Sequence, residues 1–408
     1  MTTKQKKIIF GIIFLLAAIG LAYALYWAFF APPPKERVAE KPQTQQEAVE
    51  KAEFPEAQQQ ERAEQPPEDE EEEQEAAPTP EDQITPEEGR VTQPVTDNVD
   101  HLDLGQGDQA RFYNEEDGKF YRLVDGELKP LDDKVFFNVD NTSWAPEENK
   151  AILEYPDGAN IYYNFDTKQQ ETLPKHWKDF SFSETGEEIA TKNMSFSPEN
   201  RWLIESDPDG SSVERITHLG ENANRVDVNW SPNGDVVGVS KTGPGQGAYQ
   251  QEVYLLGENN ENFKSLSIPG RGVRSKWSPS GEKLLYSAYS NRSNFQPELW
   301  IVNAEPGNIG RNRKKLNVRT WADKCGFEND KFVYCGVPTN LPQGAGFEPE
   351  IANDIEDNIY KINTNTGAKT QISTGDQTFT VDSLRVKKET NQLIITAKNK
   401  PGLFKIDI

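Results

Sequence analysis

A chain of 408 residues that holds three histidines and two cysteines leaves little room for chemistry that needs imidazole or thiol. His101, His176 and His218 have no Gly-x-Ser-x-Gly elbow to serve, so a Ser-His-Asp nucleophile is not expected. Gly243-Pro-Gly-Gln-Gly247 lacks the strand-to-helix setting and the Lys-Ser/Thr pair of a phosphate loop. Asp207-Pro-Asp-Gly-Ser211 lacks the bidentate glutamate that closes a calcium loop. Binding chemistry has more material. Lys178, Arg225, Arg271, Arg274 and Arg319 recur along the chain, and Tyr249, Phe295 and Phe347 stand in long insertions. Cations gathered around one opening can hold an anionic group, and aromatic faces can stack on a glycan or a peptide. The plainer reading is solvated charge at turns and aromatic packing within loops.

The elements that must position these residues come from a repeat. Val228-Asn-Trp-Ser-Pro-Asn-Gly234 and Ser275-Lys-Trp-Ser-Pro-Ser-Gly281 stand 47 residues apart, and each runs into an apolar segment. Each reads as a strand, a tight turn and a second strand, with Pro presetting φ and Gly supplying the positive φ that ends the turn. Weaker copies lie at Trp144-Ala-Pro, Phe182-Ser-Glu-Thr-Gly186, Trp321-Ala-Asp and Leu384-Arg-Val. A third, aromatic-rich strand follows each anchor, from Ile161-Tyr-Tyr-Asn-Phe-Asp166 to Gly402-Leu-Phe-Lys-Ile406, and a further member, Lys119-Phe-Tyr-Arg-Leu-Val124, precedes the first anchor. Short fourth strands close all but the last unit. Four-stranded units that lack a core of their own must stack radially.

The fold expected is all-β, a single β-propeller over residues 101–408. Seven third strands argue for seven blades, with the missing last strand supplied from residues near 91 to 106. Six blades result if residues 108–138 only complete the last one. Trp144, Trp230, Trp277 and Trp321 are assigned to blade packing. The Trp-Ser-Pro-x-Gly phrase with its apolar and aromatic strands resembles the WD40-like PD40 repeats of TolB-type propellers, over roughly residues 108–408. That resemblance implies the scaffold and names no ligand.

With the strands assigned, the insertions 242–251, 288–297 and 336–357 all join second to third strands. Such loops leave a propeller on the same face as the links between blades, and the five cations precede successive anchors on that face. Loops longer than the turn requires are more often functional than neutral. Cys325 and Cys335 flank a hairpin in the first and second strands of one blade. Directly opposed residues on antiparallel strands have Cβ atoms about 4.5–5.5 Å apart, near enough to bridge. A disulfide is expected in an oxidising compartment, and no metal or other cofactor.

Ile8 to Ala31 form 24 consecutive uncharged positions behind Lys4, Lys6 and Lys7. A helix of that length spans about 36 Å, against about 30 Å of hydrocarbon. The expectation is a single-pass cell-membrane anchor with residues 1–7 inside and the propeller outside the cytoplasm. A signal peptide cleaved after Ala22-Tyr-Ala24 is the competing reading. Residues 32–100 carry 21 Asp or Glu against six Lys or Arg. They read as a disordered acidic linker that cannot bury enough apolar surface to offset chain entropy.

The chain's net charge is -23, of which -11 falls in residues 101–408, so nucleic acid is not an expected partner. The function expected is a noncatalytic binding or scaffold module for a protein, a peptide or a cell-envelope polymer, held at the membrane through Ile8 to Ala31. The alternative is a propeller enzyme acting on glycans, a hydrolase or lyase with acidic residues at the channel mouth, for which paired carboxylates would be needed.

Overall fold

Seven antiparallel blades of four strands succeed one another, blades 1 to 6 each built in chain order outward from the channel strand. The computed structural model describes residues 87–245, 250–261 and 263–408. Blades 1 to 6 span residues 99–130, 141–173, 177–218, 226–268, 271–315 and 325–373. Blade 7 takes three strands from 381–407 and its outermost from Arg90–Val95. The seven-bladed ring is thus the fold, and the six-bladed alternative falls. Residues 108–138 belong to a blade whose own first strand is Val99–Gly105.

The ring closes where Arg90–Val95 pairs antiparallel with Lys400–Asp407, Val91 opposite Ile406 and Val95 opposite Leu403. Gly402 makes that closure possible. Its φ is +104°, and a Cβ there would lie 2.3 Å from the Val95 carbonyl oxygen. Just before, Glu87–Glu88 adds a parallel strand to the rim of blade 6, opposite Ile372 and Ser373. Residues 87–100 therefore do not belong to a linker ending at 100. Their composition matches the linker's, but their partners lie far along the chain, as in the bond from Gln93 Nε2 to the Pro401 carbonyl 308 residues away. The expected membrane segment, 8–31, and the linker from 32 to 86 lie outside the described residues. Among the described residues no helix is long and apolar enough to cross a membrane.

The repeated phrase forms the hairpin between first and second strands. Gly234 and Gly281 have φ of +81° and +74°, and their N–H groups donate to the carbonyls of Ser231 and Ser278 at 2.9 Å. Two of the tryptophans bond across blades, whereas Trp230 Nε1 donates to the Gly234 carbonyl of its own hairpin. Trp277 Nε1 donates to the Asn229 carbonyl of blade 4 at 3.0 Å, and Trp144 Nε1 to the His101 carbonyl of blade 1 at 2.9 Å. Trp321 is different. It precedes the first strand of blade 6 and packs against Leu341, Ala345 and Ala352 of a loop, so it is not a repeat anchor. The hairpin of blade 6 turns at Asn329-Asp-Lys331 with no tryptophan.

Seven apolar clusters lie between the blades, one at each junction around the ring. Alternation along each strand sends residues to two neighbours. Lys276 and Leu285 face blade 6, whereas Trp277 and Leu284 face blade 4. Burying one Leu, Ile or Phe side chain contributes about 1.5–3 kcal/mol, so the stacking of blades carries the fold. Cys325 and Cys335 are directly opposed in blade 6 and joined by a disulfide, with Cα atoms 4.1 Å apart.

Candidate functional site

Strand direction alternates within a blade, so second-to-third loops and inter-blade links emerge at one end of the barrel of blades. Two insertions meet there. Ser290 and Ser293 form a capping box, Asn294 turns left-handed at φ +54°, and Gly344 N–H donates to the Asn294 carbonyl at 3.0 Å. Gly346 N–H then donates to the Phe295 carbonyl at 2.7 Å, and Gln296 Nε2 to the Leu341 carbonyl. The loop of blade 6 carries its own small core of Trp321, Leu341, Ala345 and Ala352, with Ile355 against it. This is an ordered platform. On it Phe347 packs edge-on to Tyr289 at 4.7 Å and against Phe295 at 5.0 Å, while remaining 58% exposed.

The same face presents most of the molecule's exposed apolar bulk. Phe196 is 98% exposed in the second-to-third loop of blade 3, and Phe137 is 67% exposed in the link from blade 1 to blade 2. Val135 and Ile351 are exposed there too. Only Leu128 and Val213, among the described residues with large exposed apolar side chains, lie elsewhere.

Beside the aromatic platform is a cleft of about 190 Å³, lined in part by Arg274, Asp323, Glu350, Asp382 and Lys398. Two of its three acids are engaged, and Glu350 has no ion pair among the described residues. Asp323 pairs with Arg274 at 2.5 Å and Asp382 with Lys398 at 3.6 Å. Lys398 Nζ also donates to Asn353 Oδ1 at 2.9 Å. Beneath it the buried Asp357 holds Lys324 at 2.8 Å and accepts the Val381 N–H at 2.6 Å, latching blade 6 to blade 7. Burial pushes the Asp357 carboxyl up, against the pull of Lys324 and the Val381 N–H.

Deeper in the channel a second group of charges forms where first strands bulge. Register shifts between Asp100 and Asp103 and between Arg271 and Arg274 re-aim the residues that follow. Asp103 bridges Arg111 at 2.9 Å and Arg385 at 3.1 Å. Burial raises the Asp103 carboxyl, but Arg385 and Arg111 outweigh it and hold it below its ordinary value. Lys276 Nζ donates to the Cys325 carbonyl at 2.5 Å. Burial, and then Arg385, push its ammonium down to about 7, against Asp323 and Asp103.

The residues singled out from sequence are scattered over this face. Lys178 is on the first strand of blade 3, Arg225 in the link to blade 4, Arg271 and Arg274 on the first strand of blade 5, and Arg319 in the link to blade 6. Only Arg274 of these lines the cleft, and Arg225 Nη2 donates to the Lys241 carbonyl at 2.8 Å. Phe295 and Phe347 do come together, whereas Tyr249 lies outside the described residues. Sequence reasoning passed over Tyr289, Phe137 and Phe196, and also Lys276, Asp103 and Arg385. Tyr289 was legible as the residue at which the apolar strand of blade 5 opens into a long loop. The channel charges carried no local signal.

No family model matches the chain, and neither does any curated protein. Solved structures do match. Oligogalacturonate lyase from Vibrio parahaemolyticus is 12% identical, covers 78% of this chain and 93% of its own, and superposes with a TM-score of 0.52. An oligogalacturonate lyase in complex with manganese has the same identity and coverage and a TM-score of 0.53. The β-propeller domain of Cps50 (Swd1) from Myceliophteria thermophila is 11% identical, covers 80% of this chain and 99% of its own, and has a TM-score of 0.51. At such identities the likeness is one of fold. Among the described residues no three His, Cys, Asp or Glu side chains gather as a metal-ligand set.

Proposed function

We propose that this propeller is a noncatalytic recognition module that docks a protein or peptide partner on its long-loop face. One observation carries the reading: Val135, Phe137, Phe196, Phe347 and Ile351 are exposed on that single face. Scattered exposed apolar residues are ordinary on a soluble surface, but their concentration on the face of the ordered insertions marks an interaction surface. Aromatic anchors beside a polar rim are what protein interfaces use. The ion pairs of Arg274, Asp323, Asp382 and Lys398 supply that rim.

The glycan-cleaving alternative needs a free pair of carboxylates to divide acid and base roles. At this mouth Asp323, Asp382 and Asp357 are each held by a cation, which leaves Glu350 as the one carboxylate of the cleft without a cation among the described residues, and a single free carboxylate supports recognition. The Trp-Ser-Pro-x-Gly repeats support placing the chain with TolB-type PD40 propellers. The uncharged run from Ile8 to Ala31 supports a membrane tether with the propeller outside the cytoplasm.

The docking reading is tested by placing a photo-cross-linking residue at Phe347, Phe196 or Val213 of the full chain in its native envelope. Adducts of one shared mass at the first two positions, and none at Val213, are the expected result. Equal labelling at all three, or none at Phe347 and Phe196, would overturn it. The tether is tested by alkaline extraction of membranes, which should leave the full chain in the pellet and release a chain lacking residues 8–31.

A further inference from the structure

Charge around the channel does not balance. Four cations stand on the first and second strands of three blades: Arg111 of blade 1, Arg274 and Lys276 of blade 5, and Arg385 of blade 7, with Arg385 in electrostatic reach of both Arg111 and Lys276. Three carboxylates answer them, Glu147 near Arg111 among them. Asp103 is shared by Arg111 and Arg385, and Asp323 is taken by Arg274. Lys276 is left with a neutral partner, the Cys325 carbonyl, and forms no ion pair among the described residues. The charged groups facing it are Arg385 across the channel, Asp103 of blade 1 and Asp323 of the link into blade 6, with Arg274 on its own strand.

This surplus of positive charge sits in a propeller whose overall charge is strongly negative. Elsewhere the molecule pairs such lysines with acids, as Lys192 with Asp179, Lys241 with Asp227 and Lys324 with Asp357. A cation removed from bulk water without an acid is costly unless some other anion compensates it.

We infer that the channel is an oxyanion site in which Lys276, backed by Arg385, holds a carboxylate, phosphate or sulfate group of a small ligand. The ammonium contributes a point charge, and its second and third N–H groups are free to donate once Cys325 has taken one. Arg385 is fixed in place by Asp103 at 3.1 Å and by Ser383 Oγ at 3.0 Å, so it forms a preset wall of positive potential. The site borders the docking face at the Arg274–Asp323 pair, but its ligand would be held by Lys276 and Arg385, and sulfate binding is read without any partner on that face. The depressed ammonium of Lys276 links anion binding to a proton: the protonated form binds, so affinity falls as pH rises through about 7.

The probes are sodium sulfate and sodium acetate, titrated calorimetrically into the full chain against sodium chloride at equal ionic strength, between about pH 6 and about pH 9. Neither probe changes charge over that range, since carboxylates titrate near 4. Sulfate should bind with a stoichiometry of one, and its affinity should fall about tenfold per pH unit above 7. A stronger response to acetate than to sulfate identifies the ligand group as a carboxylate, and the reverse as a tetrahedral oxyanion. K276M should lower the affinity at least about tenfold, the loss of one charge-assisted contact. K276R should keep binding and lose the pH dependence, because a guanidinium stays charged across the range. That pair separates an anion site from a merely structural lysine, and K276R covers the case in which K276M fails to fold. Sulfate binding unchanged in K276M, or no saturable effect of either probe beyond chloride, overturns the proposal.

Discussion

Two blade junctions solve one problem with opposite charge. At the junction of blades 3 and 4, Lys192 Nζ reaches across to the Val226 carbonyl at 2.8 Å, and at that of blades 5 and 6, Lys276 Nζ reaches to the Cys325 carbonyl. In the first, the ammonium has its own acid: Asp179 lies at 3.0 Å and also accepts the Val228 N–H at 2.9 Å. Acid is even in surplus there, because Glu205 stands among Glu188, Glu214 and Glu258. In the second, cations are in surplus. Blades 4 and 5 carry the same Trp-Ser-Pro-x-Gly phrase, so the repeat specifies the hairpin and leaves the polar content of each junction free to differ. A structural ion pair at one place and an unsatisfied cation at another are therefore compatible with one scaffold.

The strongest way to break the comparison is at Cys325, which supplies the acceptor for Lys276. Replacing both Cys325 and Cys335 by Ser releases a constraint on a loop of 10 residues, which should cost about 2–3 kcal/mol. Urea unfolding of the full chain should show it, and reductant should lower the parent to the level of the variant. No difference between parent and variant would mean the bridge adds nothing to the junction.

Asp179→Asn makes the junction of blades 3 and 4 resemble that of blades 5 and 6. It strips Lys192 of its counter-charge and weakens the acceptor for Val228 N–H. Since Asp179 is partly exposed, the expected loss is about 1–2 kcal/mol, less than for a fully buried pair. Denaturation at low and high salt should show the loss shrinking as salt rises. A salt-independent loss would assign it to the hydrogen bond rather than to the charge.

The smallest effect lies in pH. Burial, and then Glu188, Glu258 and Glu214, raise the Glu205 carboxyl to about 7 from an ordinary 4.5. The folded chain keeps that proton where the unfolded chain has lost it, so the group's cost grows as pH climbs from 4.5 to 7 and is fully present above. Glu205→Gln should raise the melting temperature at about pH 8 and leave it unchanged near pH 4, a span set by the ordinary carboxylate range. Lys276 runs the other way, its cost fully present below 7 and fading toward the ordinary lysine value of 10.5. An equal gain for Glu205→Gln at both pH values would show a packing effect without a charge.

Much of the fold was legible in the residues. The two phrases at Trp230 and Trp277 gave the hairpins, and the aromatic third strands gave the number of blades. The closing strand expected near residues 91 to 106 is Arg90–Val95, and the error was to carry the linker on to residue 100, because short strands on the rim of blades 6 and 7 look like linker until their partners are in place. The error at Trp321 came from reading a tryptophan as an anchor when its surroundings were a loop core. Of the site, the long-loop face could be anticipated from insertion lengths, whereas the meeting of Phe295 and Phe347 could not. The cations sit on successive blades and links as their spacing requires, but with acids such as Asp323 and Asp227 interleaved among them.

What the sequence determined by itself is local: turns set by Pro and Gly within five residues, strands set by apolar alternation, and a cysteine pair within one hairpin. Turn chemistry and strand pairing of that kind act between near neighbours, so they leave their mark in a few consecutive letters. Only the tertiary structure decided which residues before blade 1 close the ring, the aromatic group of Tyr289, Phe295 and Phe347, and the charge balance around Lys276. Those are sums over residues that folding brings together from opposite ends of the chain, and a sum of fields or of packed surfaces belongs to no single stretch.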